Sequence, residues 1–388
     1  MKKKQELLID FIKQFDEHPF AIEMDGEKHL IGEGDPTFVV KVNKPIDIKE
    51  LVKSTSIALG EAYMKGDIEV EGDLYTALNN FLGQLGKFSK DIKALKKLML
   101  TSKGKKNQKK EVASHYDIGN DFYELWLDET MSYSCGYFKK KRDTLYEAQM
   151  NKIYYILEKL CLKEDMHLLD IGCGWGQLLI EAAKKYKIKG LGITLSEEQY
   201  KKFQQRIKEE GLDDRLTVEL MDYRDLPKLK TSFDRIVSVG MIEHVGRDNY
   251  EVFMSSVDKV LKPTGLFLLH YISGMKEHPG DPWMRKYIFP GGMCPSLREV
   301  INLSAEYNFY TLDVESLRRH YTETLHRWNK NFNEHRDEIQ EKMGIEFTRM
   351  WELYLCACAA TFNRGVIDLH QILLSKGVNN ELPMTRWY

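Results

Sequence analysis

The stretch His167-Leu-Leu-Asp-Ile-Gly-Cys-Gly-Trp-Gly176 constrains this chain more than any other. A short apolar run stops at three glycines, Gly172, Gly174 and Gly176, and an amphipathic helical pattern follows through Leu178, Leu179, Ala182 and Ala183. That order reads as a buried strand, a tight turn and a helix. Glycines in such a turn let the backbone approach a ligand, because no Cβ intervenes. The G-x-G-x-G spacing differs from the G-x-G-x-x-G of dinucleotide sites. The same alternation then repeats. Strands are expected at 167–171, 188–193, 215–220, 233–239 and 264–272, with helices at 177–186, 196–210 and 247–261. This is the pattern of a doubly wound α/β sheet, which holds ligands at the carboxyl ends of its strands. A Pro/Gly-rich insertion after 272 is expected to wall the site, and 345–376 is expected to be helical.

At 388 residues the chain has room for two domains. Residues 1–90 read as a smaller α+β unit, with strands near 38–42 and 68–70 and a helical stripe from Leu7 to Phe15. Residues 91–112 read as a basic linker and 113–388 as the larger domain. From Lys93 to Lys110 there are eight lysines and no acid, although the net charge of the whole chain is only −2. This run reads either as a solvated linker or as a membrane-surface element facing anionic lipid. Nucleic acid is disfavoured, since the run has no arginine and one flanking aromatic, Phe88. The six cysteines show no C-x-x-C spacing and no Cys/His ligand pattern, so neither disulfides nor a metal is expected. No secretory signal and no membrane-spanning stretch is legible, which suits a cytoplasmic protein touching the inner face of a membrane peripherally.

With Asp170 ahead of the first glycine, the turn resembles motif I of class I methyltransferases, Rossmann-like proteins that bind S-adenosylmethionine. The resemblance implies cofactor contacts from Asp170, Gly172, Gly174 and Gly176. At the end of the second strand, where many relatives carry a ribose-binding acid, this chain has Thr194, with Gln199 one helical turn on. Asp222, after the third strand, occupies the place of an acceptor for the adenine amino group, and Tyr223 is positioned to cover the ring.

Six ordered motifs narrow the resemblance. His115-Tyr-Asp-Ile-Gly-Asn-Asp-Phe-Tyr123, Ser132-Tyr-Ser-Cys-Gly-Tyr137, the glycine turn, Gly192-Ile-Thr-Leu-Ser196, Glu243-His-Val-Gly246 and His270-Tyr-Ile272 together resemble the cyclopropane-fatty-acid synthases and the related mycolic acid cyclopropane synthases. The N-terminal part is similar to the lipid-binding domain of the phospholipid-modifying branch. The resemblance implies methyl transfer from S-adenosylmethionine to a cis double bond of an unsaturated phospholipid acyl chain in the membrane. Ring closure then follows by proton loss from a carbocation. It also implies a homodimer, and it places Tyr133 and Ser134 with the cofactor. The base it implies is a bound bicarbonate held by the backbones of Cys135 and Ile272 and the side chains of Glu243, His270 and Tyr321. Aromatic faces that stabilise a cation are available in Tyr116, Tyr133, Tyr137 and Phe138.

Each of these residues taken singly has a plainer reading. His270 reads as a core histidine, Glu243 as a helix cap and Cys135 as packing. Together, among six ordered motifs, they read as a site. Sister activities leaving methyl-branched or hydroxylated chains, and a non-catalytic lipid- or RNA-binding role, are the competing readings.

Overall fold

The computed structural model describes residues 12–84 and 119–388. These fall into two compact units that interleave along the chain rather than dividing it at one point. One gathers 12–84 with Asp281–Pro290 and Phe332–Arg364; the other gathers 119–280, Gly291–Asn331 and Gly365–Tyr388. The lysine run and the motif at 115–118 lie outside the described residues.

In the first unit, β1 (Phe20–Met24), β2 (Glu27–Ile31), β3 (Val39–Val42) and β4 (Ile68–Glu71) form a sheet in the order β2-β1-β3-β4. Phe15, Phe20, Ile22, Phe38 and Ala77 build its small core, with Phe20 and Phe38 stacked at 5.0 Å. Two short helices, Thr55–Met64 and Leu74–Gly83, each start at a side-chain cap, Ser54 and Asp73. Later segments pack on these helices. Tyr63 donates to Glu352 at 3.1 Å, Arg349 to Glu69 at 2.7 Å, and Lys286 and Tyr287 both donate to Glu61 at 2.9 Å. Trp351, Tyr354, Leu355, Cys356 and Phe362 are buried in the interior of this unit.

The second unit is built on seven strands: β5 (His167–Ile171), β6 (Lys189–Thr194), β7 (Leu216–Leu220), β8 (Phe233–Val239), β9 (Leu261–Gly274), β10 (Phe309–Ser316) and β11 (Ile367–Lys376). Their order is β10-β11-β9-β8-β5-β6-β7. The strands β5 to β9 pair in parallel, and β11 pairs antiparallel to both β9 and β10. Leu168, Leu169, Ile236, Val237, Leu266 to Leu269 and Ile372 to Leu374 are fully or almost fully buried, as central strands covered on both faces require. The five expected strands and three expected helices are all present, and the fold is the α/β doubly wound, class I methyltransferase arrangement.

The C-terminal expectation needs correction. Residues 345–376 are not one helix: the helix ends at Asn363, Gly365 turns the backbone at φ +66°, and 367–376 is β11. The apolar helix face continues to Phe362, but a glycine in the left-handed region ends it. The Ile-Asp-Leu-His-Gln-Ile-Leu-Leu run beyond fills a central strand position instead. The structure adds strand β10 and the helices Leu297–Glu306 and Arg318–Glu334 to the expected elements.

Candidate active site

The glycine turn lies at the carboxyl end of β5. Gly176 has φ +86°, and a Cβ there would fall 2.0 Å from the ring of Phe203, which is fully buried. Gly174 has φ +54° and open space where its Cβ would be. Gly176 is thus demanded by packing and conformation together, Gly174 by conformation alone, with room left beside it for a ligand. Asp170, 3 % exposed, is the penultimate residue of β5, and its Oδ1 has no partner among the described residues. Burial pushes its carboxyl up to about 7 against the opposing charge of Lys152.

Lys152 comes from the helix Leu145–Lys159, which a Thr144/Glu147 capping box starts. Its ammonium donates to Ser134 Oγ at 2.8 Å. Burial brings its pKa down to about 8, with Asp128, Cys135 and Asp170 pulling the other way. Gln149, one turn earlier on the same face, donates to the Ser134 carbonyl at 2.8 Å. The Tyr133–Ser134 segment is therefore fixed by two buried polar side chains from one helix, close enough to Asp170 for the charges to interact.

Thr194, at the end of β6, is buried and donates to Gln199 Oε1 at 2.8 Å while accepting from the Ser196 N–H at 3.1 Å. Both oxygens of Asp222 are held by the Arg224 guanidinium, at 2.8 and 2.7 Å, which keeps its carboxyl below the ordinary range. Tyr223 stands edge-on to Phe253 at 5.5 Å. These residues lie at the carboxyl ends of β6 and β7, the edge where a doubly wound sheet holds its ligand.

The second cluster is built at the ends of β8 and β9. The Gly240 N–H donates to the His270 carbonyl at 2.8 Å, and the 3-10 turn Ile242–His244 then carries Glu243 inward. Glu243 Oε1 accepts the Ile272 N–H at 2.7 Å; Oε2 has no partner among the described residues. Burial raises the Glu243 carboxyl to about 7, and the Ile272 bond only partly offsets this. His270 is 1 % exposed, and its Nε2 is likewise unpartnered. Burial, with the charges of Lys152 and Lys159, drives its pKa well below the usual imidazole value. The returning limb of the Pro/Gly-rich insertion is pinned here: Met293 N–H donates to the Glu243 carbonyl at 2.8 Å.

Cys135 and Tyr321 are joined to this cluster through Leu317. The Leu317 carbonyl accepts the Tyr321 N–H at 3.1 Å and the Cys135 thiol at 3.9 Å. The Leu317 N–H donates to Leu369 at 2.8 Å, and Leu369 pairs with Ile272 across β9 and β11. Cys135, Ile272, Glu243, His270 and Tyr321 thus occupy one region, although they are spread over nearly 190 positions of sequence. Cys135 is fully buried, and burial pushes its thiol up, so it is no thiolate nucleophile.

An aromatic wall adjoins the cluster. Tyr133 lies 5.5, 5.4 and 5.3 Å from Tyr123, Trp126 and Trp328, and Trp328 lies 5.9 Å from Tyr321. Tyr137 and Phe138 stack separately against His320, at 4.7 and 6.4 Å. The expected aromatic set is therefore divided; Tyr123, Trp126 and Trp328 join Tyr133 in place of Tyr137 and Phe138. The structure also adds Lys152, Lys159, Gln149 and Gln371. The helix residues had one advance signal, a polar residue recurring on an otherwise apolar face at 149, 152 and 159; Gln371, on β11, had none.

Comparison with known proteins gives this geometry a context. A family described as mycolic acid cyclopropane synthetase matches residues 103–372, and a domain of unknown function matches 7–93. The chain is 41 % identical over 355 residues to the cyclopropane-fatty-acyl-phospholipid synthase of Escherichia coli strain K12, covering 89 % of this chain and 90 % of the relative. It is 37 % identical to a probable fatty acid methyltransferase of Pseudomonas putida, covering 93 % of each. Among solved structures, the cyclopropane synthase MmaA2 of Mycobacterium tuberculosis is similar with a TM-score of 0.64 at 35 % identity, covering 69 % of this chain and 97 % of that one. A coclaurine N-methyltransferase, at 19 % identity and TM-score 0.65, covers 83 % of this chain and 99 % of its own and shares the fold. The chain is a methyltransferase, and it belongs to the mycolic acid cyclopropane synthetase family.

Proposed function

We propose that this protein adds a methylene across the cis double bond of an unsaturated phospholipid acyl chain, using S-adenosylmethionine as donor and bicarbonate as base. When bound, S-adenosylmethionine supplies an electrophilic methyl group, and bicarbonate supplies an acceptor for the proton lost as the ring closes. The observation that carries the reading is a pair of buried atoms with no partner among the described residues, Glu243 Oε2 just past the end of β8 and His270 Nε2 on the neighbouring β9. One is an acceptor and the other a ring nitrogen able to donate, the complement an oxyacid bearing both O–H and O⁻ needs.

The chain's own groups divide the work. Asp170, Gly174, Thr194, Gln199, Asp222 and Tyr223 line the sheet edge and hold the donor, while Lys152 and Gln149 fix Tyr133 and Ser134 beside it. Glu243, His270, Tyr321 and the Cys135 and Ile272 backbones hold the anion. In this structure the Ile272 N–H is given to Glu243, so its immediate effect is to aim the carboxylate. The wall of Tyr133, Trp328 and their neighbours keeps water from a carbocation and faces it with π-density.

Membrane contact rests on the lysine run at 93–110. Among the described residues no helix is long and apolar enough to cross a bilayer.

The test is chemical. Purified protein is incubated with S-adenosylmethionine, bicarbonate and vesicles of a cis-monounsaturated phospholipid, and the fatty acids are analysed by mass spectrometry and NMR. A cyclopropane product, with turnover reduced about a hundredfold or more in Glu243→Gln or His270→Ala, is the expected result. A methyl-branched product would move the protein to a sister activity, and no product would refute the reading.

A further inference from the structure

His270 on β9 faces Gln371 on β11, its direct partner in the antiparallel register. Both side chains are 1 % exposed. Gln371 Oε1 accepts from Lys159 Nζ at 3.0 Å, and the same ammonium is ion-paired with Glu315 at 2.7 Å and Asp313 at 3.5 Å. An ammonium only donates, so the end of the Gln371 amide that meets it must be the oxygen. The other end, Nε2, therefore points at His270 Nδ1, 3.1 Å away. An amide NH2 also only donates, so Nδ1 must accept. A neutral imidazole carries one N–H, and with Nδ1 accepting, that proton sits on Nε2. An imidazolium would set Nδ1–H against an N–H, with Lys159 close behind.

We propose that Gln371, oriented by Lys159, is a positioning residue that locks His270 in its neutral Nε2–H tautomer. His270 then presents a hydrogen-bond donor, rather than a second base, at its buried Nε2. This rests on the reading of His270 as part of the active site. It deepens that reading by assigning the ring a fixed protonation and by naming the residues that impose it. The three residues come from one helix and two strands, and all three sit in the same compact unit.

The test is the nitrogen NMR spectrum of the full-length protein carrying 15N-labelled histidine, with the His270 signals assigned by their loss in His270→Asn. The expected wild-type spectrum shows Nε2 protonated and Nδ1 bare from about pH 5.5 to about pH 8.5. In Gln371→Glu the carboxylate only accepts, so a proton should appear on Nδ1. The kcat should fall about tenfold or more while the KM for S-adenosylmethionine is unchanged. In Gln371→Leu the ring should populate both tautomers, with an intermediate loss of kcat. Protonated Nδ1 in the wild type, or Nδ1 left bare in Gln371→Glu, would overturn the proposal. So would a kcat within about twofold of wild type despite a changed tautomer. If Gln371→Glu does not fold, the wild-type spectrum and Gln371→Leu decide. The spectrum needs no turnover, so failure of the tautomer assignment is distinguishable from failure of the proposed reaction.

Discussion

Glu243 is tied at one oxygen to the Ile272 N–H, 2.7 Å away, while its other oxygen, equally buried, meets no polar partner among the described residues. A half-satisfied buried carboxyl is a strained element, and its strain depends on pH. Burial raises its pKa to about 7 in the folded chain, whereas the unfolded chain has the ordinary carboxyl value near 4.5. A raised acid favours folding below the unfolded pKa, and that contribution is lost as pH rises through the folded one. Glu243→Gln keeps the Ile272 acceptor without the charge. The cofactor-free variant should match the wild type near pH 4.5. By pH 8 it should be the more stable, by on the order of 3 kcal/mol. Paired denaturant titrations across that range check the sign and the size.

The same group sets the activity profile. To accept a hydrogen bond from a bound oxyacid, Glu243 must be ionised. The kcat/KM should therefore climb with pH and level off above about 7, since this ratio reports the free enzyme. His270 is not expected to add a limb, because burial and the charges of Lys152 and Lys159 hold its pKa well below the ordinary imidazole value. A profile that is flat from pH 5.5 upward would remove Glu243 from this role.

Lys152→Met removes the donor to Ser134 Oγ and the positive charge that opposes Asp170. Affinity for S-adenosylmethionine, read by calorimetry, should weaken about tenfold, equivalent to about 1.4 kcal/mol. The KM for phospholipid should stay near the wild-type value. Unchanged cofactor affinity would make Lys152 a structural lysine only.

Gly176→Ala places a methyl 2.0 Å from the Phe203 ring at φ +86°. The variant should lose about 2 kcal/mol or more of stability and no longer be stabilised by S-adenosylmethionine in a thermal melt. Gly174 has open space at its Cβ, so Gly174→Ala should lose cofactor stabilisation with a smaller fall in melting temperature.

Replacing Lys103, Lys105 and Lys106 by glutamine should weaken sedimentation with anionic vesicles at low salt, by about 1 kcal/mol per charge near the surface. Turnover on detergent-dispersed lipid should be preserved. Equal vesicle binding by variant and wild type would assign the run to a plain linker.

The glycine turn and the five parallel strands were legible because their signals are local: apolar runs of strand length, each closed by a turn residue. Glu243, His270 and Cys135 were legible only as members of ordered motifs, since nothing in their own neighbourhoods distinguishes them from core or cap residues. Gln371 was hidden for a different reason. Its partner lies 101 positions away, and its strand follows an apolar helix with only Gly365 to mark the change. The divided aromatic wall was hidden likewise, because Trp328 meets Tyr133 through tertiary packing of an otherwise polar helix.

The placement of β11 has a consequence for any shortened form of the chain. The strand that carries Gln371 is the last in sequence, yet it sits between β9 and β10, both made earlier. Without β11, the side of β9 away from β8 has no strand to pair with, and Gln371 Nε2 is not there to meet His270 Nδ1. A chain that stops short of Gln371 carries every residue of the glycine turn but lacks the amide that, on our proposal, sets the His270 tautomer. Truncation before Ile367 therefore removes a strand whose Leu369, Ile372, Leu373 and Leu374 are buried in the core, so the middle of the sheet is lost together with Gln371.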